Sequence, residues 1–453
     1  MQTRKERNTD RNHDSRREGP MFGKRKGTAR IDMLTDKMTV KLLRCFLIMT
    51  AVAFSWAYSA YADRTIDLGE SPYNVVSGTD ITNAFNSAAA NGGSGAEKLV
   101  IRIPKGTYTV GGGEYPQLKI RGNTTVEMEG VTLKRAKQAK NSSMLRLGSK
   151  DLDWDSYDNG RGRPGYSKDF SGIHFIGGTW DGSRYGRSIM QIGHASDLTF
   201  DKVTFKNVRN CHHLEFGACS KVRIRKCRFT GYHGDFGSNY NAEAIQFEIL
   251  SGVANGHFNG YNPIDDETIC KDVEVCGCTF EGVKRGVGSH TAIANSYFSN
   301  FRIHDNVFRN ITGYAISMMN YVNSSAYNNR ITNCGCGILV ASTDRSHHNF
   351  YRSKKGSNSR STPKNLNNKV YKNTLIITRG ANGAKYNNAN YGIWVYGEKL
   401  GKQTGTMPKG DWRASGVTVS DNTITMKTPG PGILMKGTKS CKKSGNKVKE
   451  KKG

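Results

Sequence analysis

The chain has 453 residues, of which 52 are glycine and only 10 are proline, and its formal net charge is +29. It is long enough to bury a sizeable core, and its composition favours turns and strands and argues against a mostly helical protein. Such a basic protein is expected to bind a polyanion. Because no groove-binding or RNA-binding motif is present, we predict an acidic glycan as partner and no nucleic acid.

The first 62 residues have the features of an export region. Residues 1–41 are polar and basic without a helical or strand period, so we predict that they are disordered. Residues 45–62, CFLIMTAVAFSWAYSAYA, end in the small-x-small pattern of a signal-peptidase site. The apolar run is shorter than the ~20 residues that span a bilayer, so we expect cleavage and a secreted or cell-surface protein rather than a stable membrane anchor.

The next segment, residues 78–110, reads GTDITNAFNSAAANGGSGAEKLVIRIPKGTYTV. Its pattern predicts a short amphipathic helix, a glycine-rich turn and a strand.

Similar units then recur along the chain, among them DLTFDKVTFKNV, KVRIRKCRFTGY, DVEVCGCTFEGV and NFRIHDNVFRNI. Aligning the units gives two inward columns and one turn position. The first column contains Phe205, Phe229, Phe280, Phe308 and Ile331; the second contains Leu214, Ile245, Val287, Ile316, Ile338, Ile393 and Ile433; the turn position contains Cys227, Cys278, Asn306, Asn329, Asn373 and Asn422. Short strands that bury their apolar faces only against neighbouring units predict an all-β solenoid, a parallel β-helix, over residues 63–440. Residues 441–453 are interpreted as a basic C-terminal tail.

The helix–turn–strand entry and the GGTWDG stretch at 177–182 resemble the pectate lyase and polygalacturonase (pectin lyase-like) superfamily. The resemblance implies a single-stranded right-handed parallel β-helix with an N-terminal capping helix and a polysaccharide ligand. The sequence lacks the Asn-Thr-Asp, Asp-pair, Gly-His-Gly and Arg-Ile-Lys motifs of polygalacturonases, so no catalytic residue is transferred by motif.

The outward residues of the solenoid supply the candidate site. Successive strand residues alternate faces and neighbouring coils lie ~4.8 Å apart, so Glu215, Gln246, Glu248 and His290 are predicted to share one wall. His213 is expected on the same face as Glu215, with His212 inward or at the turn. Candidates for catalysis are Glu215, Glu248, His213, His290, Asp181 and Glu243, with Asp235 in reserve; candidates for substrate binding are Gln191, Gln246, Lys284, Arg285, Arg345 and Trp394.

Glycoside hydrolysis needs two carboxyl groups, for which Glu215 and Glu248 are the first candidates, and it requires no cofactor. A uronate lyase or epimerase needs a base and a cation, roles that suit His213, His290, Lys284 and Arg285, with Glu248 as a possible calcium ligand. The sequence otherwise assigns no metal.

The leading hypothesis is a secreted, monomeric enzyme that cleaves an acidic polysaccharide by polygalacturonase-like hydrolysis. The alternatives are a lyase or epimerase, or a non-catalytic surface β-helix that binds glycan. Of ten cysteines, Cys45 lies in the predicted signal peptide, and the nine that remain cannot all pair within one chain. Most of them are interpreted as buried small apolar residues.

Overall fold

The computed structural model describes residues 63–451 except 93–96, 114–115, 148–164, 236–241, 251–265, 354–359 and 380–389. The predicted disordered region and signal peptide, residues 1–62, therefore lie outside the described residues. No helix within the described ranges has the length and hydrophobicity needed to cross a membrane.

Three long parallel sheets, named A, B and C here, are stacked coil upon coil. Sheet A contains β1 (Arg64–Asp67), β2 (Leu99–Arg102), β4 (Thr124–Glu127), β7 (Ser171–Ile176), β10 (Ser196–Asp201), β13 (Ser220–Arg225), β16 (Lys271–Cys276), β20 (Phe298–His304), β24 (Ser325–Tyr327), β28 (Lys369–Tyr371), β34 (Thr418–Ser420) and β38 (Lys442–Ser444), with β23 (Tyr321–Val322) beside β20. Sheet B contains β3 (Gly106–Val110), β5 (Val131–Arg135), β8 (Thr179–Tyr185), β11 (Thr204–Val208), β14 (Arg228–Tyr232), β17 (Thr279–Glu281), β21 (Val307–Arg309), β25 (Arg330–Cys334), β29 (Thr374–Ile377), β35 (Thr423–Met426) and β39 (Lys447–Lys449). Sheet C contains β6 (Leu145–Leu147), β9 (Met190–Gly193), β12 (Leu214–Gly217), β15 (Glu243–Glu248), β18 (Arg285–Gly288), β22 (Tyr314–Met319), β26 (Cys336–Ala341), β30 (Tyr391–Tyr396) and β36 (Ile433–Lys436).

Each coil visits sheets A, B and C in turn, and every pairing between coils in these sheets is parallel, as in β10–β13, β11–β14 and β12–β15. The predicted right-handed parallel β-helix is therefore confirmed. Three short pairs lie outside the main sheets: β19 (Ala292–Ile293) with β27 (Phe350–Tyr351), β31 (Glu398–Leu400) with β32 (Gly410–Trp412), and β33 (Ala414–Ser415) with β37 (Thr438–Lys439).

One α-helix, α1 (Thr82–Ala89), lies in the described chain between β1 and β2, and 3₁₀ turns occur at Lys137–Ala139 and Lys168–Phe170. Phe85 and Ala88 of α1 are fully buried and belong to the main core. The helix is thus present where the sequence predicts it, while its function as a cap remains a prediction.

The C-terminal boundary differs from the expected one. β38 pairs with β34 and β39 pairs with β35 in the same register as the earlier coils. The segment interpreted as a basic tail from residue 441 therefore continues the ladder to Lys449. The many lysines of this segment obscure the pattern, because Val448, aligned with Ile424, is the only apolar residue of β38 and β39 and is itself exposed.

The coils turn from sheet A to sheet B through one residue in the left-handed region. This residue is Lys226, Gly277, Asp305, Asn328, Lys372 or Asp421 in successive coils, with φ between 52° and 64°. A left-handed residue bends the chain sharply at one position, so the turn has the same form in these coils although the coils differ in length.

The residue after each of these turns forms a buried ladder. Nδ2 of Asn306 donates to Oδ1 of Asn329 at 3.0 Å, and the same contact at 2.9 Å joins Asn329 to Asn373, Asn373 to Asn422 and Asn422 to Asn446. Each amide also binds backbone groups of its neighbours, so the turn backbone is satisfied inside the protein. The predicted shared turn position is correct.

Replacement of Asn373 by alanine is expected to lower the free energy of unfolding by about 3 kcal/mol, because several buried hydrogen-bonding groups would lose their partner at once. Chemical denaturation measures the change. The matched control is Thr374→Ala, which alters the adjacent exposed side chain and should change stability much less. Equal losses in the two variants would show that the ladder adds no special stability.

The interior is filled by columns of like residues. Phe205, Phe229, Phe280 and Phe308 stack with ring centroids 5.3, 4.8 and 4.6 Å apart. The second predicted column, Leu214 to Ile433, follows the register of sheet C coil by coil. Both predicted columns are confirmed, and they fix which side chains of sheet C face outward.

The nine cysteines of the described chain carry free thiols, and six of them are buried. Cys227 and Cys278 occupy ladder positions upstream of Asn306, and the backbone N–H of Cys278 donates to Oδ1 of Asn306 at 2.9 Å. Their interpretation as small buried residues agrees with this packing.

Candidate active site

The outer face of sheet C carries the predicted wall. Glu215 is aligned with Gln191 on one side and Gln246 on the other, and Glu248 is aligned with Gly217. The face is covered, since Glu215 is 3% exposed, Gln246 4% and Glu248 1%. These groups therefore form a buried polar layer instead of the solvated ladder that outward acids usually make.

A charged cluster lies at the centre of this layer. The fully buried carboxylate of Glu243 accepts a hydrogen bond from Nη1 of Arg285 at 2.9 Å, and Nδ1 of His290 lies 3.0 Å from its Oε2. His212 adds a third contact, because its Nδ1 donates to the backbone carbonyl of Glu243 at 2.8 Å. The rings of His212 and His290 stack with centroids 6.2 Å apart.

These contacts shift the pKa values of Glu243 and His290 in opposite directions. Burial alone would raise the pKa of Glu243, but His290 and Arg285 hold it well below its usual range. Burial alone would lower the pKa of His290, but the charge and hydrogen bond of Glu243 raise it above its ordinary value. The two shifts both favour the charged forms, a carboxylate on Glu243 and an imidazolium on His290.

Glu248 behaves differently from its neighbour Glu243. Burial raises the pKa of Glu248 to about 7, and this effect outweighs the opposing influence of His290 and of the Gln246 hydrogen bond. Nε2 of Gln246 donates to Oε1 of Glu248, and Nε2 of His290 lies 3.6 Å from the same oxygen. Oε2 of Glu248 has no hydrogen-bond partner among the described residues. Two buried acids with opposite pKa shifts are the arrangement that acid–base catalysis requires.

Glu215 lies one coil upstream in a separate network. Its Oε2 accepts hydrogen bonds from Oγ of Ser188 at 2.8 Å and from Nε2 of Gln191 at 2.9 Å. Ser143 in turn donates to Oε1 of Gln191 at 2.8 Å. The charge of Glu215 contributes to the raised pKa of Glu248, so the two carboxyl groups interact across the coil step.

The prediction for His213 is wrong. Its ring faces the core, where it packs edge-on against Phe229, and its Nε2 hydrogen bonds with the carbonyl of Thr230 at 2.9 Å. Burial lowers the pKa of His213 to about 4, which keeps the ring neutral. The alternation of faces does not extend to residue 213, because the chain bends there before β12 begins at Leu214. The same bend places His212, expected inward or at the turn, against Glu243.

A cleft continues from His290 along the downstream half of sheet C. Its free volume is about 530 Å³, open solvent included. Arg285 and His290 lie on and just after β18 at one end, and Trp394 and Tyr396 lie on β30 at the other, where Arg345 packs over the Trp394 ring. The lining is Arg285, Ser289, His290, Tyr314, Ser317, Met319, Leu339, Ala341, Thr343, Asp344, Arg345, Asn349, Trp394 and Tyr396. The candidate residues Arg285, Arg345 and Trp394 are thus brought together with His290.

One wall of the cleft is the segment after β26. Asp344 holds it in place by accepting hydrogen bonds from the backbone N–H groups of Ser346, His348 and Asn349. β27 then pairs with β19, which ties this segment to the loop that follows His290. The wall is therefore organised by the protein itself before any ligand binds.

Three other candidates lie apart from the cleft or act differently there. Asp181 lies on β8 of sheet B, where it caps a turn by accepting from the Ser183 N–H at 2.9 Å. Nζ of Lys284 donates to the carbonyl of Asp235 at 3.0 Å, and neither residue lines the cleft. Trp394 lines the cleft, but it is buried and Tyr391 stacks on its ring at 4.5 Å, so the face of the indole is already covered.

Sequence reasoning missed His212, Ser188 and the cleft-lining residue Thr343. No repeat position identifies them, because each lies in a connection between strands. Within the described ranges, no group of three or more His, Cys, Asp or Glu side chains has the geometry of a metal site.

The fold and site together define a right-handed parallel β-helix with a buried acid–base cluster at the head of a cleft. Among solved structures, the surface adhesin PfbA of Streptococcus pneumoniae is similar, with a TM-score of 0.53 and 17% identity over 82% of this chain and 87% of that chain. A second PfbA structure gives 0.51 and 16%, over 84% and 100%. A Family 28 exopolygalacturonase of Yersinia enterocolitica gives 0.48 and 13%, over 86% and 79%.

At these identities the likeness shows the fold alone. It agrees with the parallel β-helix fold predicted from the sequence. No protein-family model matches the sequence, and no curated protein is significantly similar to it.

Proposed function

We propose that this protein is an extracellular carbohydrate-active β-helix that cleaves an acidic polysaccharide in the sheet C cleft by hydrolysis. The observation that carries the proposal is the buried acid Glu248, whose pKa is raised to about 7 and whose Oε1 lies 3.6 Å from Nε2 of His290, a residue that lines the cleft. A carboxyl group with a pKa near 7 is suited to protonate a leaving glycosidic oxygen at neutral pH.

The neighbouring residues have assigned roles in this proposal. Glu248 is the general acid, and Glu215, one coil upstream, is the second carboxylate that activates water or attacks carbon. Glu243 and Arg285 are positioning residues, because they fix the ring and the charge of His290. His290 contacts Glu248 on one side and faces the cleft on the other, which couples the acid to the bound sugar.

The charge of the cleft supports an acidic substrate. Arg285, His290 and Arg345 contribute cations to its lining, against one carboxylate from Asp344 that is engaged by its own loop. The protein outside its two basic ends also keeps a positive charge: residues 1–62 hold 13 Lys/Arg and 6 Asp/Glu and residues 436–453 hold 8 and 1, which leaves +15 of the total +29. Both features favour binding of a polyanion.

Lyase or epimerase chemistry is less well supported. It needs a base to remove a proton next to the uronate carboxyl group. His213 lies in the core, and Glu243 raises the pKa of His290 against the effect of burial, which makes that imidazole less available as a base. Glu248 could serve as this base only at a pH above its raised pKa.

A glycan-binding protein without catalysis is the second candidate. It is favoured by the deep burial of Glu215, Glu243 and Glu248, none of which lines the cleft, whereas the exposed Arg345 does. The structurally similar PfbA is described as a surface adhesin, which shows that this fold serves binding as well.

Product analysis on a panel of uronate polymers tests the proposal. Hydrolysis is expected to release reducing ends without the ultraviolet-absorbing unsaturated ends that a lyase creates. Unsaturated ends would show that the protein cleaves by elimination and not by hydrolysis. Loss of the reaction on addition of a calcium chelator would also indicate a lyase. Binding without either product would establish the non-catalytic alternative.

A further inference from the structure

The downstream half of the cleft contains two buried polar atoms without partners. Nε1 of Trp394 and Oγ1 of Thr343 have no hydrogen-bond partner among the described residues, although the side chains are only 4% and 1% exposed. Both residues line the cleft. Native proteins rarely leave buried donors unpaired, so each one at a cleft wall indicates a group that a ligand would satisfy.

Trp394 can meet a ligand with its edge rather than its face. Tyr391 stacks on the indole with centroids 4.5 Å apart, Tyr396 packs at 5.1 Å, and the guanidinium of Arg345 lies 5.4 Å from the ring centroid. These contacts occupy the ring with protein groups. The indole N–H, which only donates, is the part of Trp394 left for recognition.

Apolar side chains lie directly beside these two donors. Leu339 is aligned with Trp394 on the neighbouring strand, and Ala341 is aligned with Met319 on one side and Tyr396 on the other. All three aliphatic residues line the same cleft. The wall therefore offers two hydrogen-bond donors for an oxygen and, next to them, a hydrophobic surface large enough for a methyl group.

We propose that this half of the cleft binds the N-acetyl group of an amino sugar, with the carbonyl oxygen on Trp394 and Thr343 and the methyl group on Leu339 and Ala341. The inference rests on the proposed function of the cleft and specifies its substrate class. Because the cations Arg285 and His290 lie at the other end, the ligand is a glycan that combines uronate with N-acetylhexosamine. A polymer of uronate alone would leave the apolar surface without a methyl group.

Calorimetric titration with oligosaccharides of equal length tests the substrate class. The probes are hyaluronan, unsulfated chondroitin and N-acetylheparosan on one side and oligogalacturonate on the other. At least one N-acetylated probe is expected to bind roughly tenfold more tightly than oligogalacturonate, the effect of one or two satisfied neutral hydrogen bonds.

Two variants with matched controls test the residues. Thr343→Val and Trp394→Phe each remove one donor and keep most of the shape, so each should weaken the N-acetylated probe roughly tenfold and leave oligogalacturonate within about twofold. Thr312→Val and Trp180→Phe remove equally buried, equally unpartnered groups outside the cleft and should change neither affinity.

Failure of the N-acetyl site and failure of the proposed function give different binding results. If oligogalacturonate binds as tightly as every N-acetylated probe, or if the two variants weaken both classes equally, the N-acetyl site is overturned while the acidic-glycan function stands. If no acidic probe binds at all, the proposed function is overturned together with the subsite.

Discussion

Replacement of Glu248 by glutamine is expected to lower the turnover of an acidic glycan by about a hundredfold to ten-thousandfold, the range that a general acid contributes. The amide keeps the size of the side chain but has no acidic proton to give to the leaving oxygen. Oε1 of Glu248 accepts from Gln246 and lies beside His290, contacts that the amide oxygen of the variant can keep. The loss should therefore appear in kcat with an unchanged far-ultraviolet circular dichroism spectrum.

The control is Glu129→Gln, which removes an exposed carboxylate far along the sequence from the site and should leave turnover unchanged. The pH profile adds a second readout. Because Glu248 acts in its protonated form and burial raises its pKa to about 7, the rate should fall as the pH rises through 7. Turnover that survives in Glu248→Gln, or a rate that increases through pH 7, would remove Glu248 from the acid role.

Replacement of Glu243 by glutamine is expected to lower the free energy of unfolding by about 3 to 5 kcal/mol. The carboxylate is fully buried and neutralises Arg285 at 2.9 Å and His290 at 3.0 Å. The variant leaves a buried guanidinium without its counter-charge, and the imidazole of His290 becomes easier to deprotonate. Guanidinium chloride denaturation at neutral pH measures the loss, with Glu129→Gln as the exposed control.

The pH dependence of stability distinguishes this ion pair from simple packing. The lowered pKa of Glu243 contributes stability that is present above the ordinary carboxyl range near ~4 and is lost as the pH falls through the lowered value. The raised pKa of His290 contributes stability that is full below the ordinary value near ~6.5 and is lost as the pH rises through the raised value. The stability advantage of the native chain over Glu243→Gln should thus be greatest between these limits; a constant difference across pH would contradict the charged pair.

Much of the scaffold could be predicted from the sequence repeat. The aromatic column from Phe205 to Phe308 and the ladder from Asn306 to Asn422 have one residue per coil, so aligning the units fixes both the fold and the register of sheet C. The register alone places Glu215 beside Gln246 and aligns Glu248 with Gly217. Strand periodicity determines these positions because successive residues face opposite sides.

The site was less predictable because it depends on what covers the repeat. Nothing in the alternation shows that the outer face of sheet C is buried. Burial raises the pKa of Glu248, whereas His290 and Arg285 hold the pKa of the equally buried Glu243 below its usual range. His213 turned inward because a bend before β12 interrupts the alternation. Thr343 lies in an irregular connection whose path is set by the Asp344 hydrogen bonds and the β19–β27 pairing, contacts that no local pattern encodes.

The protonation state of Glu248 at neutral pH is the central claim, and it can be measured directly. A carbon-13 NMR titration of side-chain carboxyl groups, with the Glu248 signal assigned by its disappearance in Glu248→Gln, reports its pKa in the folded protein. The account predicts a midpoint of about 7. A midpoint at the ordinary glutamate value of about 4.3 would contradict it, because the group would then be a carboxylate with no proton to donate.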